Sequence, residues 1–288
     1  MTPHLFGIDL DGTLLSPRGE VTDRTRAAIH ALLDAGHRVC FSTGRNGIEA
    51  AGVFASVGHN HLAVLVSGAM VVDLRDGRVL HRGHMHADLA VGLCQTIEAT
   101  GEAAVVFQDR QETEVDYLVS GDKHLHPALG GWLALSGQRV QRHPTLTTID
   151  HAKTLRVSTV CDYASAARVR TAIAERHGDS VYLHSILVAS ENAEIIEAFD
   201  PAVNKWQGLH RVALHYGIDP RHHVIAVGDD TNDLPMIRHA PLGLAMGNAR
   251  AEVKAVADRV IGRNDEDGLA GFIEEWLSVP SPGTPGEG

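Results

Sequence analysis

Hydrophobic positions along the chain fall into two textures. Near the start, short unbroken apolar runs alternate with longer stretches in which apolar residues recur every three or four positions. Leu5–Ile8 is such a run, expected as a strand buried on both faces. Between Thr22 and Ala35, residues Ala28, Ile29, Leu32 and Leu33 recur at helical spacing, with Thr22 as N-cap and Gly36 as the stop. Val39–Phe41 and Ala63–Val66 read as further strands. Val71–Asp73 and Val79–His81 flank Arg75-Asp76-Gly77, the signature of a hairpin. The last third returns to the same texture, with strands at Val224–Val227 and Leu242–Ala245 around a helix beginning at Leu234. This alternation predicts an α/β fold, a doubly wound, Rossmann-like parallel sheet with helices on both faces.

The middle of the chain differs. From about His84 the pattern gives a helix (Ala87–Ala99), strands (Ala103–Phe107 and Glu114–Leu118) and a helical stretch broken by Pro127 and Gly130-Gly131. A strand (Leu155–Cys161), a helix (Ala164–Arg176) and two short strands follow. The expected organisation is a core made of residues 1–83 and 199–288, with an α+β module over 84–198 inserted into it. Its hinges fall near Arg82–His86 and Ala198–Pro201, and the module is expected to close over the sheet edge. The end of the chain, from about residue 278, is rich in Pro and Gly and is expected to be disordered.

Composition narrows the class. The chain has 288 residues, 44% hydrophobic and 21% charged, ordinary for a soluble globular protein. No apolar stretch approaches the ~20 residues of a membrane span, and no basic segment precedes an apolar one at the start, so neither a membrane nor a secretory route is expected. Cys40, Cys94 and Cys161 are odd in number and far apart, which fits a reducing cytoplasm. A formal net charge of −11 without a basic block argues against nucleic acid. An acidic protein that binds an anion needs a local cation to do so.

Four short segments supply the chemistry: Asp9-Leu10-Asp11-Gly12-Thr13, Ser42-Thr43-Gly44-Arg45, Lys205, and Gly228-Asp229-Asp230-Thr231-Asn232-Asp233. Each is read as following a strand, at the carboxyl edge where open α/β sheets bind ligands. Carboxylates alone would repel a phosphate and each other. A hard divalent cation held by carboxylate oxygens removes that objection, and Mg2+ prefers such ligands. One aspartate can then attack phosphorus while the other moves protons. Lys205 can neutralise developing charge, and the Thr43 hydroxyl with backbone N–H groups around Gly12 and Gly44 can cradle oxygens.

DLDGTLL, STGR, a lysine opening a helix, and GDDTND, in that order, resemble the haloacid dehalogenase (HAD) superfamily. GLAMGNA (Gly243–Ala249), VKAVAD (Val253–Asp258) and NDEDGL (Asn264–Leu269) resemble its Cof-type, subfamily IIB phosphatases, which carry an α+β cap where the inserted module lies. The resemblance implies roles. Asp9 is matched to the nucleophile and a metal ligand, and Asp11 to the acid/base, which also lends the metal a backbone carbonyl. Thr43 and Lys205 are matched to the phosphate-binding hydroxyl and lysine. Asp229 is matched to a metal ligand, Asp233 to a carboxylate supporting the metal, and Asn232 to a phosphate-side amide. Arg45 is assigned either to substrate or to holding its loop. The implied reaction is Mg2+-dependent hydrolysis of a small phosphate monoester through phospho-Asp9. The rivals are a sugar phosphomutase or phosphotransferase of the same fold and a non-catalytic protein that binds a phosphorylated metabolite. Three positions depart from the pattern: Ser67 stands where Asn is common, Trp206 where a small residue is usual, and Asp230 where Ser or Gly is frequent, so that Asp230 is expected to face solvent or cap its helix.

Other features have plainer readings. His81, His84 and His86 have metal-like spacing but sit at the expected hinge, where polar linkers are normal. His124, His126, His222 and His223 are expected at the surface, and Trp132 and Trp276 in apolar packing. No dinucleotide fingerprint, P-loop or G-x-S-x-G occurs, which disfavours a dinucleotide-dependent oxidoreductase, a P-loop NTPase and a serine hydrolase. The substrate and the oligomeric state are not encoded in any motif.

Overall fold

The structure, a computed structural model, describes residues 2–121, 125–135 and 137–279. His124 and tail residues 280–288 lie outside them. Two compact units emerge, Met1–His81 with Asn204–Gly288, and Arg82–Val203. Their boundaries lie two residues before and five after those drawn from the sequence.

The first unit begins with β1 (Leu5–Ile8), α1 (Asp23–Asp34), β2 (Arg38–Ser42), α2 (Gly47–Val57), β3 (Leu62–Leu65), β4 (Met70–Asp73) and β5 (Arg78–Arg82). Thr22 caps α1, its hydroxyl accepting from the Thr25 N–H at 3.1 Å. α2 buries Ala50, Phe54 and Val57 on one face and starts from a capping box. Asn46 Oδ1 accepts from the Glu49 N–H, and Glu49 Oε2 from the Asn46 N–H.

The second unit contains α3 (Ala87–Ala99), β6 (Val105–Phe107), α4 (Arg110–Thr113), β7 (Tyr117–Ser120), α5 (Pro127–Leu135), β8 (Val140–His143), β9 (Arg156–Asp162), α6 (Tyr163–His177), β10 (Tyr182–Val188) and β11 (Ala193–Phe199). Its six strands run in the order β10-β11-β9-β6-β7-β8, with only the β7–β8 pair parallel. α3 and α6 bury Leu93, Cys94, Ile97, Val169 and Ile173 with Val106, Val157 and Ile196 of the sheet. Three sequence expectations change here. Glu114 does not open a strand: it ends α4 in a left-handed conformation, φ 67°. Gly130-Gly131 do not interrupt α5, because Pro127 pre-sets its first turn and Leu129 and Leu133 bury one face. The last two strands are seven residues each, not short, because they pair with each other along their whole length.

The chain then returns with α7 (Lys205–His215), β12 (Val224–Gly228), α8 (Leu234–His239), β13 (Leu242–Ala245), α9 (Ala251–Lys254), β14 (Arg259–Val260) and α10 (Gly268–Ser278). The sheet of the first unit is ordered β14-β13-β12-β1-β2-β3-β4-β5. It is parallel from β14 to β3, but β4 runs antiparallel to β3, because the link between them is too short for a crossover. β1 lies at the centre, with Leu5 opposite Val224 on one side and Arg38 on the other. The chain winds outward from β1 through β2 and from β12 through β13, so β1 and β12 flank a topological switch point. At the opposite end of the sheet Trp276 packs edge-on against Phe6, His37 and His4. His223 is half-buried beside His4 rather than at the free surface.

Candidate active site

The three loops that leave β1, β2 and β12 meet the first turn of α7. Lys205 does not follow a core strand; it stands at a helix start, as the motif resemblance implied. It opens a helix, whose N-cap Asn204 accepts from the Gln207 N–H. Its side chain is fully buried and donates to Asp9 Oδ1 at 2.6 Å and Asp233 Oδ1 at 2.5 Å. Asp233 Oδ2 accepts from the backbone N–H groups of Asp229 and Asp230, which folds the Gly228–Asp233 loop back on itself. Gly228 is needed there, since a Cβ would strike the Asp233 carboxylate. Asp229 reaches the same point from the other side and accepts from the Thr13 hydroxyl at 3.3 Å. Gly12, at φ +80°, lies so close that any side chain would collide with the Asp229 carboxylate.

Asp9, Asp229 and Asp233 each bring a carboxylate oxygen within 4.8 Å of the others, the one such group of potential metal ligands among the described residues. Counted as ionised, three carboxylates against one ammonium leave two negative charges unbalanced. Burial works against the Lys205 charge, but Asp233 and Asp9 outweigh it and hold its pKa above the ordinary value. Burial, then the neighbouring Asp233, raises Asp9 well above the usual carboxylate range. Burial, Asp233 and Asp230 push Asp229 up to about 7. Lys205 is held charged, and the raised acids mark a site where formal negative charge is in surplus. That surplus, on hard oxygen donors, fits a divalent cation such as Mg2+, which Asp9 and Asp229 would hold with Asp233 behind them.

Asp11 is not brought into that group. Its side chain is 57% exposed and bidentate to Arg45, Nε to Oδ2 at 2.9 Å and Nη2 to Oδ1 at 2.5 Å. Thr43 is buried, and its hydroxyl accepts from the Arg45 N–H. A Cβ on Gly44 would lie 3.3 Å from Ser67 Oγ and 3.7 Å from Asn232 Nδ2, so the second and fourth motifs face each other across Gly44. Asp230 caps the following turn, accepts from the Thr231 N–H and pairs with Arg250. Trp206 packs with the rings of His210 and His239. His84 pairs with Glu112, and His86 lies 3.9 Å from Asp88.

Sequence reasoning missed two residues that hold the first motif. Asn248 Nδ2 donates to the Gly12 carbonyl at 2.8 Å, while its Oδ1 accepts from the Asn264 N–H. Asn264 Nδ2 in turn donates to the Leu15 carbonyl. Both asparagines lie inside GLAMGNA and NDEDGL, which could have flagged them as structural partners of the DLDGT turn.

Comparison with known proteins identifies the family. A haloacid dehalogenase-like hydrolase family model matches residues 6–273. The chain is 30% identical, over 96% of its length and 98% of the relative, to a 5-amino-6-(5-phospho-D-ribitylamino)uracil phosphatase of Bacillus subtilis. It is 27% identical to an HMP-PP phosphatase of Yersinia enterocolitica, over 96% of each. Among solved structures, a haloacid dehalogenase-like hydrolase from Bacteroides thetaiotaomicron superposes with a TM-score of 0.76 at 22% identity, covering 96% of this chain and all of the other. The HAD subclass IIB sugar phosphatase BT4131 gives the same TM-score at 19% identity, with 96% and 100% covered. The chain belongs to the haloacid dehalogenase-like hydrolases, of the Cof type.

Proposed function

We propose that this protein is a Mg2+-dependent phosphatase that hydrolyses small phosphate monoesters through an aspartyl-phosphate on Asp9. The observation that carries the reading is the buried Lys205, held between Asp9 and Asp233 beside Asp229, which leaves carboxylate charge in surplus at the switch point of the sheet. Mg2+, which Asp9 and Asp229 would hold with Asp233 behind them, would supply Lewis-acid withdrawal of charge from phosphorus. An Asp9 oxygen attacks phosphorus as the ester P–O bond breaks, and protonated Asp11 gives its proton to the departing oxygen. Water then attacks the phospho-Asp9 phosphorus, Asp11 takes the proton, and Asp9 is restored with release of inorganic phosphate. Lys205 neutralises charge on the transferring group, and Thr43, Gly44 and Asn232 hold its remaining oxygens. Asp11 is engaged by Arg45, so proton transfer requires Arg45 to release it. An arriving phosphate offers the guanidinium a competing bidentate partner.

The relatives' names place 5-amino-6-(5-phospho-D-ribitylamino)uracil and HMP-PP at the head of a substrate panel, with sugar phosphates after them. The test is phosphate release from that panel with Mg2+, after EDTA, and after Mg2+ is restored. Release that stops with the chelator and returns with the metal is expected. An isomeric sugar phosphate in place of free phosphate would assign a mutase, and no turnover of any compound would leave a binding protein. No helix among the described residues is long and apolar enough to cross a membrane.

A further inference from the structure

Ser67 occupies a place that no assigned role explains. It follows β3 in a tight turn in which Val66 and Ser67 both take left-handed backbone conformations, φ 51° and 52°. A non-glycine residue there is strained, and a β-branched valine more so. Two backbone hydrogen bonds nevertheless pin the turn to the second motif: the Val66 N–H donates to the Arg45 carbonyl at 3.0 Å and the Ser67 N–H to the Thr43 carbonyl at 2.9 Å. On the other side Gly68 packs so closely on the Asn204 carbonyl that no side chain would fit. The turn is thus wedged between the Thr43–Arg45 loop and the residue that caps α7 ahead of Lys205.

Within this wedge Ser67 is 1% exposed, and its hydroxyl has no hydrogen-bond partner in the protein. A buried, unsatisfied hydroxyl is costly, and one fixed by strained backbone is not an accident of a mobile surface. The oxygen lies 3.3 Å from the point a Gly44 Cβ would take, a point only 3.7 Å from Asn232 Nδ2. Both polar groups thus aim at the one place in the second motif where the side chain is absent. An alanine at 44 would crowd the Ser67 hydroxyl and touch the Asn232 amide, so Gly44 keeps the space between the two donors clear.

We propose that Ser67 is a phosphate-binding residue of this site, its hydroxyl donating a hydrogen bond to a phosphoryl oxygen held over Gly44, opposite the Asn232 amide. The assignment rests on the phosphate-monoester reading above and extends it by one residue. A phosphoryl oxygen is anionic, and a hydroxyl donor held in place gives it a charge-assisted bond that water reorganisation would otherwise oppose. The strained turn then has a function, since relaxing it would swing the hydroxyl away from Gly44.

The experiment titrates inorganic phosphate into the Mg2+-supplemented protein by calorimetry, for wild type, Ser67→Ala and Ser67→Gly, with thermal midpoints alongside. Loss of the hydroxyl in either variant is expected to weaken phosphate by about tenfold. The midpoint of Ser67→Ala should stay level or rise, since the substitution deletes an orphaned polar atom. Ser67→Gly, which also relieves the backbone, should bind phosphate no better than Ser67→Ala. Phosphate affinity in Ser67→Ala within about twofold of wild type would overturn the assignment. So would wild-type affinity in Ser67→Gly, which would trace the effect to backbone strain, or absence of phosphate binding by the wild type. Because the readout is binding, a wild type that takes up phosphate but releases none from the ester panel would retract the hydrolytic reading and still decide the role of Ser67.

Discussion

Each unit of the molecule buries an ion cluster, and the two are built on opposite principles. In the second unit Arg156 pairs with Glu197 through Nη1 and donates to the Tyr117 hydroxyl from Nη2, with its guanidinium 5.5 Å from the Phe107 ring centre. One positive charge meets one negative, and the partners stand on β9, β11, β7 and β6 of a single sheet. In the first unit Lys205 faces three carboxylates drawn from two separate segments of chain, Asp9 after β1 and Asp229 with Asp233 after β12, and the formal charges sum to −2. A balanced pair on one sheet carries no net charge that a proton or a cation must relieve. A surplus of buried like charge is tolerated only if protons or a cation relieve it, which is why Asp9 and Asp229 sit above their usual pKa range. Burial alone does not separate a structural ion pair from a reactive one; the charge balance does.

The largest effect that could break this contrast comes from Asp9→Asn. An amide is a poor nucleophile and a poor metal ligand, so phosphate release should fall by more than about a thousandfold. Removing one surplus charge should leave the metal-free thermal midpoint level or higher, the reverse of what deleting a partner from a balanced pair does. A clear drop in that midpoint would mean that Asp9 is counted on for stability and that the surplus is illusory.

Lys205→Met removes the ammonium that Asp9 and Asp233 share. Asp9 and Asp233 then face each other unneutralised, and destabilisation of about 3–5 kcal/mol is expected, read as a lower denaturant midpoint. Hydrolysis should be lost with it. A mild effect on rate in the folded variant would move the cationic role to Arg45.

How far this was legible in the sequence depends on distance along the chain. The acids of DLDGT and GDDTND, Thr43 and Lys205 were found because each is next to an element boundary that hydrophobic patterning marks, and α3 was read to the residue for the same reason. The bend of Asp11 away from the cluster was not legible, because it depends on Arg45, 34 residues on. The grip of Asn248 on Gly12 spans 236 residues, and no local period records it. Glu114 and the Gly130-Gly131 pair misled in the other direction, where tertiary packing overrode local propensity.

His59 offers a third solution to a buried ionisable group, neutrality. Burial beneath Phe41 and Phe54 lowers its pKa from 6.5 to about 4, while Nε2 stays 3.3 Å from the Leu62 carbonyl. The folded value lies below the unfolded one, so the unfolded chain takes up the proton first as pH falls. The contribution is intact above pH 6.5 and is lost between there and about pH 4, up to about 3 kcal/mol. Urea midpoints from pH 7 to 4 should therefore fall less steeply in His59→Gln than in wild type; parallel curves would assign the acid loss elsewhere.

The smallest effect is the sharpest test of the comparison. If the Arg156–Glu197 pair is only a balanced structural contact, its whole chemistry is replaceable. Exchanging Arg156→Met and Glu197→Leu together, with Tyr117→Phe to remove the hydroxyl they leave behind, should change stability by no more than about 1 kcal/mol or raise it, because desolvating the pair offsets most of its attraction. Glu197→Leu alone should cost about 3–5 kcal/mol, since it strands a buried guanidinium. A triple variant as unstable as the single one would show that this pair, too, answers to something beyond its own charges, and the distinction drawn between the two clusters would fail at its quieter end.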